Sequence, residues 1–352
     1  MIPNWASSFD EFCSFVLRAH GLSVNAPQTL NSGTGVHIGI IDSIKHPASR
    51  GGLDDLRIRN QKSFIESPKP ETIPHGSQVL SVVSYFSGES DYSLYQAVES
   101  DRTLRTEPFD RAVDAAIRDG VDILNISAGD PWRGPVETNP SAQIIQRAVD
   151  NDITIVAAAG NSLESGEEKP VHCPAAVEEV IAVGGLVTDC TEAPSDVEPG
   201  DDSVHPDGAY WAHKHDGEEY PPGVPNEIFC GQQGCNGSDC IKNQHERPWE
   251  GNTNPTGGKP DVLAPVHLPE TQPSGTPFLH VGSSFAAPVV AGTMGMIFGE
   301  LLEEGDRTPS AWETREAVVS SAAQIDEGDL RKLNVQRALN ELAPNEQMSY
   351  SD

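Results

Sequence analysis

Three residues of this sequence carry the side chains that nucleophilic acyl transfer requires: Asp42, His75 and Ser284. A serine hydroxyl is a weak nucleophile until a neighbouring base removes its proton. An imidazole can be that base near neutral pH, and a carboxylate beside it fixes its tautomer and stabilises its charged form. We therefore expect the three side chains to meet in space and to attack an acyl group.

Each of the three lies at the end or the start of a predicted element. Asp42 ends the apolar run HIGIID, which predicts a buried parallel strand. His75 precedes the helical pattern of residues 77–86, and Ser284 opens the long apolar helix predicted over 283–303. Ligands of open parallel sheets bind at the carboxyl ends of the strands, so all three groups are expected at one sheet edge. Taken singly, they also fit simpler roles: a helix cap, a turn residue and an N-cap.

Strand and helix patterns alternate from residue 36 onward. Apolar runs at 121–127, 153–161 and 180–185 predict strands, and residues 109–120 and 141–152 predict amphipathic helices. Two closing helices are predicted after residue 310. This alternation predicts an α/β fold, in which a doubly wound, mostly parallel sheet has helices on both faces.

Composition divides the chain into a main domain with flanking segments. Residues 1–32 are predicted to form a short leader, and residues 33–340 a single domain. Within that domain, residues 188–256 have little periodicity and are rich in Asp, Glu, Gly, Pro, His and Cys, which predicts an irregular surface insertion. Residues 341–352 form a polar tail.

The charge balance is strongly acidic, with 53 Asp and Glu against 23 Lys and Arg, a net charge of −30. Such a surface repels nucleic acid and anionic lipid, so we expect neither nucleic acid nor membrane as a partner. Spread acidity with only eight lysines is typical of a protein that works in concentrated salt; an ordinary acidic protein is the alternative.

The N-terminus lacks a basic segment followed by an apolar one, which argues against a secretory signal and favours the cytoplasm.

Five segments together resemble motifs of the subtilase family of serine peptidases. GSSFAAPVVAG resembles the serine motif and PHGSQV the histidine motif. AAAGNS (157–162) resembles the segment with the oxyanion-hole asparagine, KPDVLAP (259–265) the segment before the serine motif, and DILNISAGD (122–130) the strand that lines the substrate cleft. The order Asp, His, Ser is the subtilisin order. The resemblance covers roughly residues 33–340 and implies a subtilisin-like three-layer fold in a haloarchaeal or other halophilic intracellular member.

The resemblance implies a serine endopeptidase that works through an acyl-enzyme. Ser284 attacks the scissile carbonyl, His75 acts as general base and then general acid, and Asp42 orients His75. Asn161 donates its side-chain amide to the oxyanion together with the backbone N–H of Ser284. The simpler interpretation of Asn161 is a turn former after Gly160.

The resemblance also implies a substrate cleft with a first specificity pocket between two walls. The wall residues are Ser127, Ala128 and Gly129 on one side and Ala158, Ala159 and Gly160 on the other. Gly129 and Asp130 are expected to pair with an extended substrate as an added strand. His172 is expected near the pocket base, where it narrows the pocket or favours a small or acidic side chain; otherwise it is a loop histidine.

The sequence departs from the family pattern at four positions outside the triad. Glycine is usual at Ile44, Ser81 and Val266, and a second histidine is usual at Gln78. An alternative therefore stays open, a catalytically weak or inactive subtilase-like protein that binds extended peptides. The partner is a protein or peptide in both cases. The leader is shorter than the folding propeptide of secreted relatives, which again favours synthesis in the cytoplasm.

The chemistry requires no cofactor, but two metal sites are predicted from residue types. LDDL (53–56) resembles an acidic segment that binds structural calcium in many relatives, with Asp55 as the candidate ligand; the alternative is a solvated acidic turn. Cys230, Cys235 and Cys240 are ligand types that suit zinc. Their four-residue gaps equally fit free thiols or a disulfide.

Overall fold

The fold is described here from a computed structural model that covers most of the predicted domain. The described residues are 31–44, 53, 55–66, 75–98, 104–132, 134–161, 170–188, 214–215, 218–219, 246–248, 258–265, 267–271, 277–305, 307–325 and 330–343. The leader up to residue 30 and most of the predicted insertion lie outside these ranges.

The described chain alternates strands and helices along its length. Its strands are β1 His37–Asp42, β2 Arg57–Ser63, β3 Asp91–Gln96, β4 Ile123–Ile126, β5 Thr154–Ala158, β6 Ile181–Thr188, β7 Lys214–His215, β8 Glu218–Glu219, β9 Glu246–Pro248, β10 Val262–Pro265, β11 His267–Thr271, β12 Pro277–Val281, β13 Ala323–Gln324 and β14 Arg331–Lys332. Its α-helices are α1 His75–Phe86, α2 Thr106–Asp119, α3 Ala142–Val149, α4 Ser283–Glu303, α5 Ala311–Ser321 and α6 Val335–Leu342.

One large sheet organises these elements. Its order is β13-β14-β10-β6-β5-β4-β1-β3-β2, and β9 pairs with β6. Along this order, every pair of neighbours from β14 to β2 is parallel. β9 and β13 pair antiparallel with their neighbours. β1 lies between β3 on one side and β4 on the other. The strand order reverses there, so the carboxyl end of β1, where Asp42 lies, is the switch point at which such sheets bind ligands.

Helices cover both faces of the sheet and bury two separate cores. Side chains of α1, α4, α5 and α6 pack on one face, and those of α2 and α3 pack on the other. α4 is long and apolar enough to cross a membrane by length and composition alone, but nearly all of it is buried inside the protein. It is therefore the central core helix of its face.

α1 and α4, which carry His75 and Ser284, approach closely because of glycines on α4. A Cβ on Gly292 would lie 2.8 Å from the carbonyl oxygen of Val83, and one on Gly295 would overlap the hydroxyl of Ser87. The Ser87 hydroxyl instead donates to the Gly292 carbonyl at 2.5 Å. The two helices therefore pack tightly even though Ser81 stands where the family usually has a packing glycine.

The predicted fold class is confirmed: the sheet is mostly parallel, with helices on both faces. The sequence patterns did not reveal β2 and β3. β2, RIRNQKS, is an edge strand whose residues alternate between exposed and half-buried positions. β3, DYSLYQ, is almost wholly buried although half of it is polar, because partners inside the fold satisfy its polar side chains.

Candidate active site

Asp42 and His75 are in direct contact at the carboxyl edge of the sheet. Nδ1 of His75, the first residue of α1, lies 2.9 Å from Oδ1 and 3.1 Å from Oδ2 of Asp42. The Asp42 side chain is 1% exposed and the His75 side chain 21%. An ionised carboxylate can only accept, so Nδ1 carries the proton and Nε2 keeps its lone pair. That tautomer is the one a general base requires.

The backbone around this pair allows a close approach of α1 to the end of β1. A Cβ on Gly76 would lie 2.5 Å from Cβ of Ile44 and 3.1 Å from Oδ1 of Asp42. Gly76 therefore provides the space that Ile44, one of the departures from the family pattern, occupies. Ile44 is fully buried, so the side chain that replaces the usual glycine is part of the core.

Ser284 lies in the first turn of α4, and the residue that follows it packs against the imidazole. The ring of Phe285, the next residue, has its centroid 5.4 Å from that of His75. Ser284 is 8% exposed, and its position at a helix N-terminus adds a partial positive charge that favours an oxyanion. The structure thus brings Asp42, His75 and the start of α4 together.

Asn161 lies beyond the end of β5 and faces the same point as Ser284. A Cβ on Gly282 would come 3.0 Å from Nδ2 of Asn161 and 3.2 Å from Oγ of Ser284. Both atoms therefore border the small space beside Gly282 that the missing side chain leaves open. An amide donor that borders one space with a serine hydroxyl is the arrangement that the predicted oxyanion hole requires.

Ser283 fixes the orientation of this amide, and the sequence analysis assigned it no role. Oδ1 of Asn161 accepts from the backbone N–H and from the hydroxyl of Ser283, each at 2.8 Å. The Ser283 hydroxyl also lies 3.1 Å from both the N–H and the carbonyl oxygen of Gly160. With Oδ1 engaged, Nδ2 is left to point toward the nucleophile. The available signal was a hydroxyl residue directly before Ser284, where the family motif has threonine.

The two predicted pocket walls follow neighbouring strands. Ser127, Ala128, Gly129 and Asp130 continue from β4, with burial decreasing from Ser127 to the exposed Asp130. Ala158 ends β5, and Ala159 and Gly160 follow it, all three buried. Because β4 and β5 pair in parallel, the two segments leave the sheet side by side.

His172 and Cys173 link these walls. The N–H of His172 donates to the carbonyl of Ala159 at 2.9 Å, and a Cβ on Gly129 would lie 2.9 Å from Cβ of His172. Cys173 exchanges two backbone hydrogen bonds with Asp130, each at 3.0 Å. Burial lowers the pKa of His172 and raises that of the free Cys173 thiol to about 12. His172 and the buried Cys173 therefore lie between the predicted walls.

The predicted metal sites remain predictions. Asp55 is exposed just before β2, and within the described ranges no group of three or more His, Cys, Asp or Glu side chains is placed to hold a metal ion. The described residues alone therefore do not form a calcium site, and the neighbouring Asp54 lies outside them. Cys230, Cys235 and Cys240 also lie outside the described residues.

Known proteins with similar sequences are bacterial subtilisins. The chain is 28% identical over 165 residues to subtilisin DY of Bacillus licheniformis and 27% identical over 170 residues to subtilisin E of Bacillus subtilis. Each match covers 44% of this chain, and the matches cover 57% and 42% of the two relatives. The chain thus spans about half the length of the relatives it matches.

Solved structures and a family model extend the likeness to nearly the whole chain. A lanthipeptide protease superposes with a TM-score of 0.60 at 17% identity, covering 97% of this chain and 98% of that one. A mutant of the protease domain of PatA gives 0.59 at 19% identity, covering 90% and 98%. These structures have the same fold. The model of the subtilase family matches residues 33–346, and this chain belongs to that family.

Proposed function

We propose that this protein is a serine endopeptidase that hydrolyses peptide bonds through an acyl-enzyme on Ser284. The proposal is supported by the Asp42–His75 contact, by the contact of His75 with Phe285, the residue after Ser284, and by the space beside Gly282 that the Ser284 hydroxyl and the Asn161 amide both border. Family membership supports the same activity.

Acylation uses each of these groups at a defined atom. Oγ of Ser284 attacks the scissile carbonyl carbon while its proton moves to Nε2 of His75. The carbonyl electron pair moves onto oxygen, which accepts hydrogen bonds from Nδ2 of Asn161 and the backbone N–H of Ser284. The C–N bond then breaks, and His75 returns the proton to the leaving amine.

Deacylation repeats the same steps with water as the nucleophile. His75 removes a proton from water, and the hydroxide attacks the acyl carbon. The second oxyanion occupies the same space beside Gly282. Collapse of that intermediate releases the carboxylic acid and returns the proton to Ser284. Asp42 holds the imidazole tautomer throughout.

Substrate binding is proposed to use main chain more than side chain. Gly129 follows β4 and is partly exposed, so an extended peptide can pair with its main chain as an added strand. The expectation that Asp130 pairs in the same way is wrong, because its N–H and carbonyl are already bonded to Cys173. The first substrate side chain then enters between the 127–129 and 158–160 segments.

His172 is proposed to narrow this first pocket and favour a small side chain. Its backbone N–H donates to the carbonyl of Ala159, and its ring is hydrogen-bonded to the backbone of Gly129, so the ring takes up space between the walls. Cleavage-site profiling on a peptide library tests this: the wild type should prefer small residues, and His172→Gly should accept large ones. A large aromatic preference in the wild type would contradict it.

A fluorophosphonate probe separates the peptidase from an inactive peptide-binding relative. Such a probe reacts only with an activated serine. Labelling and peptide hydrolysis by the wild type, both lost in Ser284→Ala, support the enzyme. Absence of labelling at low and at high salt, with extended peptides still bound, would support the binding protein instead.

A halophilic cytoplasmic setting is also proposed, supported by the net charge of −30 and the eight lysines. At low salt these charges repel one another, whereas at about 3 M salt the screening length is below about 3 Å. We expect the thermal unfolding midpoint to rise between about 0.1 M and about 3 M KCl. A midpoint that falls or stays constant over this range would contradict the proposal.

A further inference from the structure

Gln96 lies directly beside the triad aspartate. It is the last residue of β3, and its Cα is the register partner of Asp42 in the parallel pairing of β1 and β3. Its side chain is buried and contacts two neighbours. Nε2 donates to the carbonyl of Ser43 at 3.0 Å, and Oε1 accepts from the hydroxyl of Ser63 at 2.8 Å.

Ser43 connects Gln96 to the carboxylate. The backbone N–H and the hydroxyl of Ser43 donate to Oδ1 of Asp42 at 2.6 and 3.0 Å. The same Oδ1 makes the shorter contact with Nδ1 of His75, at 2.9 Å. Ser43 is therefore bonded to both residues: its N–H and hydroxyl donate to the Asp42 carboxylate, and its carbonyl accepts from the Gln96 amide.

The hydrogen bond between Gln96 and Ser43 can affect the Asp42–His75 pair because of where it lies. β1 and its pairing with β3 both end at Asp42, so Ser43 lies just past the strand ladder. The Gln96 amide supplies the hydrogen bond to the Ser43 carbonyl that a continued ladder would have supplied. If this bond is lost, the Ser43 backbone can rotate and carry its two donors away from Oδ1.

We propose that Gln96 is a positioning residue that acts through Ser43 to hold the Asp42 carboxylate in line with His75. The kinetic part of this inference rests on the proposed peptidase function. The competing role is a purely structural tie, in which Gln96 joins β3 to β2 through Ser63.

The test compares Gln96→Met with Ser63→Ala. Methionine keeps the length of the side chain but removes both the donor and the acceptor of the amide, whereas Ser63→Ala removes only the contact to β2. We expect Gln96→Met to lower kcat by about 10-fold, because small misplacements of catalytic groups are costly, with KM unchanged. We expect Ser63→Ala to leave kcat unchanged. Equal kcat losses in both variants, or an unchanged kcat in Gln96→Met, would overturn the proposal.

A second variant and a second readout keep the test decisive. Gln96→Glu retains an acceptor for Ser63 but loses the donor to Ser43, so its kcat should also fall. This variant carries the test if Gln96→Met does not fold. The downfield proton NMR signal of Nδ1–H on His75 reports its contact with Asp42 without any turnover. A shifted or broadened signal in the Gln96 variants but not in Ser63→Ala supports the positioning role, even if the wild type proves inactive and the peptidase proposal fails. An unchanged signal contradicts the positioning role.

Discussion

Asn161 and Ser283 form a pair in which one side chain orients the other. Both donors of Ser283, its backbone N–H and its hydroxyl, lie 2.8 Å from Oδ1 of Asn161. Asn161 itself is exposed beyond the end of β5, so the surrounding core does not fix its amide. Ser283 is also the residue before Ser284, which couples the direction of the proposed oxyanion donor to the position of the proposed nucleophile.

This pairing predicts graded losses of activity. Asn161→Ala should lower kcat by about 100- to 1,000-fold, because an oxyanion donor is lost. Ser283→Ala keeps the donor but loses one of the two bonds that orient it, so kcat should fall by about 10-fold. Ser283→Thr restores a hydroxyl and should recover most of this loss. Steady-state kinetics measure all three, and a Ser283→Ala kcat equal to that of the wild type would contradict the coupling.

Gly282→Ala should block the oxyanion space while the fold is kept. The added methyl would lie 3.0 Å from Nδ2 of Asn161 and 3.2 Å from Oγ of Ser284, where the substrate oxygen is expected. We predict at least a 100-fold loss in kcat/KM, about the effect of removing one oxyanion-hole donor. Gly305→Ala, at the surface beyond α4 where a Cβ meets nothing within 4 Å, controls for the strain of adding a side chain to a glycine. Wild-type kinetics in Gly282→Ala would place the oxyanion elsewhere.

The positions of Asp42, His75 and Ser284 at the ends of their elements were predictable from the sequence because the signals are local, whereas the residues that contact them were not. Asp42 follows an apolar run, and Ser284 opens an apolar helix. Gln96 carries no such signal, and Ser283 carries only its place directly before Ser284, since their roles depend on which strand lies beside β1 and on which loop faces α4. β3 was missed for the same reason: Ser93 pairs with a buried histidine from β1, a contact that hydrophobic periodicity does not reveal.

Two lysine–aspartate pairs of equal length should differ in their contribution to stability because they differ in burial. Nζ of Lys259 lies 2.6 Å from Oδ2 of Asp261, with the side chains 6% and 2% exposed. Nζ of Lys62 lies 2.6 Å from Oδ2 of Asp119, with 37% and 13% exposed. Lys259 also donates to the carbonyl of Val180, and Arg315 shares Asp261. The first pair is therefore part of a buried network that joins α5 to the sheet.

Lys259→Met should lower the free energy of unfolding by about 3 kcal/mol, because it leaves the buried Val180 carbonyl without its donor and the Asp261 carboxylate with Arg315 in place of two cations. Lys62→Met should lower it by less than about 1 kcal/mol. Urea unfolding of both variants at the same salt concentration measures the difference. Equal losses would mean that burial does not set the strength of these pairs.

His37 should make the fold less stable in acid. Burial, and secondarily Arg59, lowers its pKa below the ordinary 6.5, against the opposing effects of the Gly120 carbonyl, Asp122 and Asp91. As pH falls below 6.5 the unfolded chain takes up a proton that the folded chain does not, so the free energy of unfolding declines until the lower folded pKa is reached.

Nδ1 of His37 faces the Gly120 carbonyl and donates to it, so Nε2 accepts from the Ser93 hydroxyl at 2.8 Å. The variant His37→Gln removes this titration and retains an acceptor for that hydroxyl. Its unfolding free energy should depend less on pH than that of the wild type between about pH 8 and about pH 5. Urea titrations at several pH values provide the comparison, and parallel pH profiles for the two proteins would contradict the assignment.

The most direct test of the account is a crystal structure of the protein inactivated by a peptidyl phosphonate, a mimic of the tetrahedral intermediate. We predict one covalent bond, from Oγ of Ser284 to phosphorus, and a phosphonyl oxygen within hydrogen-bonding distance of Nδ2 of Asn161, in the space beside Gly282. Nε2 of His75 should face Oγ, with Nδ1 still on Asp42. An adduct on another residue, or an oxygen directed away from Asn161, would contradict the proposed active site.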